Sequence, residues 1–142
     1  MADKRLLVFV QKNAMYLAWV VVLAAVMGSL TFSEILGYVP CEMCWIQRIL
    51  LFPQSLLLGM AIYRSERFII PYLLPLNMLG MFVALYQYLE QQIPGFASIL
   101  PCTVGVPCSQ KDIDLFGFIT IPLLSLIAFS VITVLLWLGR KQ

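Results

Sequence analysis

The chain has 142 residues, 62% hydrophobic and 11% charged, with a formal net charge of +2 and no histidine. Soluble domains run at about 45–50% apolar and about 25% charged, so this composition excludes an ordinary water-soluble fold and describes a chain built into a membrane. The small net charge and the lack of a basic run exclude nucleic-acid binding, and the missing histidine excludes His-ligated haem, a Cys-x-x-Cys-His haem attachment, Cys/His zinc sites and a catalytic histidine.

Four stretches carry no charge: 13–33 between Lys12 and Glu34, 49–63 between Arg48 and Arg64, 68–89, and 115–139. A helix needs about 20 apolar residues to cross the hydrocarbon core. That length predicts spans at 14–33, 44–63, 68–88 and 117–138, giving an all-α membrane protein with a four-transmembrane-helix bundle as a single domain over 1–142. The second span is long enough only if it begins near Cys44, which draws Arg48 into the membrane margin. The first span follows Lys4, Arg5 and Lys12 but is longer than a signal-peptide core of about 7–15 residues and is followed by no Ala-x-Ala-like site, so it reads as a retained helix.

Basic residues decide the orientation. Of the nine Lys and Arg, all but Arg48 and Lys111 fall at the N-terminus, in the YRSER link between spans two and three, or at the C-terminus. The positive-inside rule makes that side cytoplasmic, with both termini inside. Cys41, Cys44, Cys102 and Cys108 then lie at the extracytoplasmic face, one pair in each of two outer loops, where disulfides persist. The second outer loop, about 89–116, is long for a connection, and such lengths are usually functional. Within it KDIDLFGF is expected to lie along the interface, with Ile113, Leu115, Phe116 and Phe118 dipping into lipid and Lys111, Asp112 and Asp114 in water.

PCEMCWIQR, residues 40–48, opens the second span. A helix starting around Cys41 places Pro40 at its beginning, where a missing N–H is harmless. Cys41 and Cys44 are then one turn apart at a positive helix end that favours a thiolate. Cys44 and Arg48, spaced i,i+4, share a face. A guanidinium so close lowers a thiol pKa by about 1–3 units, while partial burial opposes it; the attached charge is expected to prevail. Arg48 is either an interfacial anchor or a fixed charge for a thiolate or a reduced acceptor.

Cys102 and Cys108 enclose TVGVP, with Gly105 and two prolines favouring a tight turn. As a set, the four cysteines read as structural staples, a metal site or a redox relay. Cys₄ metal sites usually use C-x₂₋₄-C at both ends, and C-x₅-C departs from that. A small-molecule channel or transporter is the further alternative: Gln54 and Asn77 lie mid-span, and Pro53, Pro71 and Pro75 can break helices. Isolated Gln and Asn more often make interhelical hydrogen bonds, and no ionisable group occupies a span centre.

The order of these features resembles the DsbB family of disulfide bond formation proteins. PCEMCWIQRIL, YLEQQIPGF and PCTVGVPCS followed by FGFITIPLLSLIAF are similar to its Gram-positive BdbC branch, over nearly the whole chain. The resemblance implies a quinone-dependent thiol:disulfide oxidoreductase of the bacterial cytoplasmic membrane that reoxidises a secreted thioredoxin-like thiol oxidase (DsbA/BdbD-like). By position, Cys102 receives the partner's thiol and Cys108 exchanges with Cys41. Cys44 and Arg48 face the quinone, which the branch implies is menaquinone, with no metal and no haem. Glu90 is a candidate proton relay. Two features depart from better-known members: the five-residue loop spacing is short, and YQYLEQQ offers no histidine near the start of the last outer loop.

Overall fold

A computed structural model describes residues 2–93 and 120–141. Cys102, Cys108, the interfacial segment KDIDLFGF and the predicted start of the last span at 117 lie outside the described residues. The described elements are α1 (Ala2–Lys12), α2 (Ala14–Leu30) continued by a π-helical turn (Thr31–Ile35), α3 (Glu42–Arg64), α4 (Ile70–Gln92) and α5 (Ile121–Arg140). Four helical segments, Ala14–Ile35, Glu42–Arg64, Ile70–Gln92 and Ile121–Arg140, are long and apolar enough to cross a membrane. Among the described residues there is no strand.

Helix α1 was not expected. Asp3, Lys4, Arg5 and Lys12 keep it from reading as an uncharged span. Those charges suit a short helix, since Asp3 lies in the first turn and Lys12 in the last, matching the helix dipole. Asn13 breaks it from α2: its side-chain Nδ2 donates to the Phe9 carbonyl at 3.0 Å, competing locally with the backbone ladder. The other helices depart from their predicted bounds, mostly by running longer. The second starts at Glu42 rather than 44, and the third runs 70–92 rather than 68–88. The prolines do not break helices either, for α3 runs through Pro53 and α4 through Pro75, while Pro71 sits in the first turn of α4.

The helices alternate in direction. At one end Gly139 lies against Ala14 and Ile70, and Arg67 Nη1 donates to the Gly139 carbonyl at 3.4 Å. At the other end Arg48 meets Ser29, and Gln47 meets Gln87. Both ends of the described chain therefore share one end of the bundle, and Cys41 and Cys44 lie at the opposite end.

Lipid offers no hydrophobic drive between helices, so contact depends on close packing and interhelical hydrogen bonds. Phe129, Ile132, Leu136, Leu58 and Val22 form the centre, each under 2% exposed, while Leu56, Tyr72, Phe82 and Val134 point outward as an apolar belt. Small residues admit large neighbours. The Trp19 indole N–H crosses to the Ser55 carbonyl at 2.8 Å beside Gly59. Midway along α3 and α4, the fully buried Asn77 donates through Nδ2 to Gln54 Oε1 at 2.9 Å, the interhelical bond expected of those residues.

Among the described glycines Gly80 has the tightest approach: a Cβ there would lie 2.5 Å from the ring of buried Phe129. Gly80→Ala is expected to destabilise the bundle by about 1–3 kcal/mol through overpacking, seen as a lower thermal unfolding midpoint in detergent. Phe129→Leu added to it should recover part of the loss, and an unchanged midpoint in the single variant would show that the ring moves aside freely.

Candidate redox site at the mouth of the bundle

Pro40 stands one residue outside α3, and Cys41 is its N-cap, with extended backbone at φ −72° and ψ 172°. The Cys41 carbonyl accepts the first helical bond, from Trp45 N–H at 3.1 Å. One turn of helix then brings the two thiols together, as their spacing predicts. Both are free, and the Cys41 thiol donates to Cys44 Sγ across 3.3 Å. Acceptance of that hydrogen bond by Cys44 holds the proton on Cys41 and raises its pKa, and burial adds to the effect.

The two thiols have different surroundings. Cys41 is 7% exposed, packed with Met43, Val83 and Tyr86. Cys44 is half-buried and opens onto a cavity of about 260 Å³. Helical position alone would put Cys41, nearer the helix start, nearer water and other thiols; the fold corrects this, because side chains of α4 cover it.

Arg48 and Cys44 both line that cavity, which is the shared face their spacing requires. The guanidinium does not bond to the thiol. Its Nε donates to Ser29 Oγ and its Nη2 to the Ser29 carbonyl, both at 2.9 Å, and its Cζ lies 5.5 Å from the Trp45 ring centroid. Ser29 sits just before the π-helical turn of α2. Such turns are frequent at functional sites, and here Phe32 and Ser33 of the turn join the cavity wall. The chain then reverses through Gly37, whose φ of +73° is a conformation that glycine adopts without strain. The returning segment of the loop brings Tyr38 and Val39 to the cavity wall, which Ser125 and Phe129 of α5 also line.

Two glutamines join the site that sequence reading did not assign to it. Gln87 Nε2 donates to Cys41 Sγ at 3.1 Å and to Cys44 Sγ at 3.4 Å. Gln87 Oε1 in turn accepts from Gln47 Nε2 at 2.8 Å. Gln47 was within reach of the sequence, being three residues past Cys44 on one helix face. Gln87 lies 46 residues from Cys41 and has no local signal. Glu90, the candidate relay, is in the last turn of α4, with a buried Oε2 that has no hydrogen-bond partner among the described residues. Among the described residues no three His, Cys, Asp or Glu cluster as metal ligands.

A helical membrane bundle with a reduced Cys-x-x-Cys at its mouth defines a membrane thiol–disulfide protein, and the comparisons carry this further. Residues 11–139 match the family described as disulfide bond formation protein DsbB, and the chain belongs to that family. It is 50% identical over 128 residues to disulfide bond formation protein C of Bacillus subtilis (strain 168), covering 90% of this chain and 93% of that one. It is 44% identical over 116 residues to a probable disulfide formation protein of Coxiella burnetii (strain CbuK_Q154), covering 81% and 79%. It is 40% identical over 124 residues to probable disulfide formation protein C 1 of Bacillus anthracis, covering 87% and 89%. No solved structure matches. The protein is thus a multi-pass membrane member of the disulfide-forming DsbB family, with the BdbC likeness upheld.

The unequal surroundings of the thiols give a direct check. With Cys102 and Cys108 replaced by serine, N-ethylmaleimide should modify reduced Cys44 faster than Cys41, as followed by peptide mass spectrometry. Equal rates, or a faster Cys41, would contradict the burial described.

Proposed function

We propose that this chain is a quinone-dependent thiol:disulfide oxidoreductase that reoxidises a thioredoxin-like thiol oxidase outside the bacterial cytoplasmic membrane, through Cys102, Cys108, Cys41 and Cys44. The observation that carries the reading is the cavity. It brings one thiol of a reactive pair and one guanidinium onto the same wall, inside a lipid-embedded bundle. Its volume of about 260 Å³ is just below the ~300–1,000 Å³ usual for small-molecule sites. That suits a flat ring headgroup whose prenyl tail stays in lipid.

The donor set fits such a ring. Ala24, Ala25, Gly28 and Ala128 give smooth apolar walls, and Arg48, Ser33, Tyr38 and Ser125 offer polar contacts. A bound quinone supplies a two-electron, two-proton acceptor. The chain does the rest: Cys44 presents its sulfur to the cavity, and Arg48, held by Ser29, supplies fixed positive charge where negative charge develops. Cys41 takes the exchange from Cys108. Because Cys41 is covered, this exchange needs the α4 side chains over it to move. A thiol pool is the poorer acceptor, since a strongly oxidising partner lies near about −120 mV and oxidising glutathione pools near about −180 to −210 mV. The seven basic residues at the opposite end support a cytoplasmic placement of both termini and an extracytoplasmic placement of the cysteines.

The test is turnover of the purified chain with a reduced thioredoxin-like partner and a menaquinone analogue, read as quinone absorbance. Cys44→Ser should abolish it, and retention of full turnover would sink the proposal. Arg48→Met should lower kcat/KM for quinone about tenfold or more, the loss expected for a hydrogen bond to a charged group, and alter exchange at the loop pair less. Equal effects on both steps would make Arg48 a structural anchor. Ala128→Phe, which fills the cavity, should raise the KM for quinone while leaving thiol exchange intact; an unchanged KM would move the acceptor site elsewhere.

A further inference from the structure

The chain has no histidine, so whatever donates to the sulfurs must be another group. Among the described residues, the Gln87 carboxamide, 2% exposed, reaches both sulfurs from α4. An amide nitrogen has two N–H donors and its oxygen is acceptor only. Here the nitrogen lies 3.1 Å and 3.4 Å from the two sulfurs, and the oxygen is engaged by Gln47, itself 6% exposed. The amide cannot turn over alone. Doing so would set its oxygen against two sulfurs and its nitrogen against the Gln47 nitrogen. Gln87 also approaches from outside the cavity wall, so it leaves the cavity side of Cys44 open.

We propose that Gln87 is a catalytic residue of the thiol–disulfide step, donating to the sulfur that receives the departing electron pair, and that Gln47 is the positioning residue that keeps those N–H groups turned toward the pair. This rests on the reading of Cys41 and Cys44 as a redox couple. In the step concerned, an incoming thiolate attacks Cys41 Sγ of the Cys41–Cys44 disulfide. A new S–S bond forms at Cys41, the old one breaks, and the bonding pair leaves on Cys44 Sγ as a thiolate. A thiolate accepts hydrogen bonds more strongly than a disulfide sulfur, because the bond is charge-assisted. The two N–H groups therefore favour the opened, reduced state over the closed one. The amide does not titrate in the physiological range, so it stabilises charge without carrying a proton.

The test isolates the couple in the full-length C102S/C108S protein, purified free of quinone and equilibrated in glutathione buffers. The fraction of Cys41–Cys44 disulfide is read by alkylation and mass. Q87M should shift the equilibrium about tenfold toward the disulfide, the size expected for losing a hydrogen bond to a charged group. Q47M, which keeps Gln87 but frees its amide to rotate, should shift it less and in the same direction. The Q47M/Q87M double variant replaces both partners with apolar groups. It should keep the parent's unfolding midpoint yet shift as far as Q87M. A Q87M equilibrium within about twofold of the parent overturns the proposal, as does a double variant that returns to the parent value, since the pair would then only pack helices. If Q87M does not fold, Q47M decides, and no shift there overturns it. A parent protein that forms no Cys41–Cys44 disulfide in any buffer would instead remove the redox reading itself.

Discussion

A guanidinium at the margin of a membrane has to be held, and in this chain one residue holds it twice. Ser29 accepts from Arg48 through both its hydroxyl and its carbonyl. That pair of bonds ties α2 to α3 at the level of the cysteines and fixes where the charge sits. It also coincides with the point where α2 widens into its π-helical turn, so Phe32 and Ser33 are carried to the cavity wall rather than continuing an ordinary helical face. Without the bond, Arg48 would be free to snorkel outward, as long basic side chains do near a membrane surface. With it, the charge stays beside the cavity that Cys44 opens onto.

The cysteine pair is built on the opposite logic. Arg48 lines the cavity from α3, tied to Ser29 of α2, and Gln87 approaches the sulfurs from α4. Between them, two chemically identical thiols differ: one is shut in, the other is half-open to the cavity. Sequence spacing ranks the two by depth along the helix. The fold ranks them by what lies over them, and α4 reverses the expected order of access.

Much of the architecture is legible in the sequence because the membrane imposes one strong rule, a run of about 20 apolar residues per crossing. Four helices follow from four uncharged runs. Where the helices run past the predicted ends, Glu34, Glu42, Arg64 and Glu90 sit inside the helical segments, since a charge at the end of a span reaches water without ending the helix. Helix α1 is missed for the same reason. The local site is legible where it depends on one helix. Cys41, Cys44 and Arg48 fall one turn apart, and their geometry follows from helical spacing. The partners of that motif are not legible, because Ser29 is 19 residues from Arg48 and Gln87 is 40 from Gln47, so only packing brings them together.

The glutamines also separate two uses of the same chemistry along α3 and α4. Gln54 and Asn77 meet at mid-bundle, fully buried, and join the two helices to each other. Measured interhelical bonds of this kind average only about 0.6 kcal/mol, so their main effect is to fix register. Gln47 lies seven residues before Gln54 on α3, on the same helix face and two turns nearer the mouth. It repeats the contact with a different outcome: its partner has donors left over, and they are turned onto sulfur. The register set by the inner pair is what brings Gln87 level with the start of α3. A slip of one turn, about 5.4 Å, would carry the amide out of hydrogen-bonding range of both thiols. The helix packing and the chemistry at the mouth are therefore coupled through one alignment.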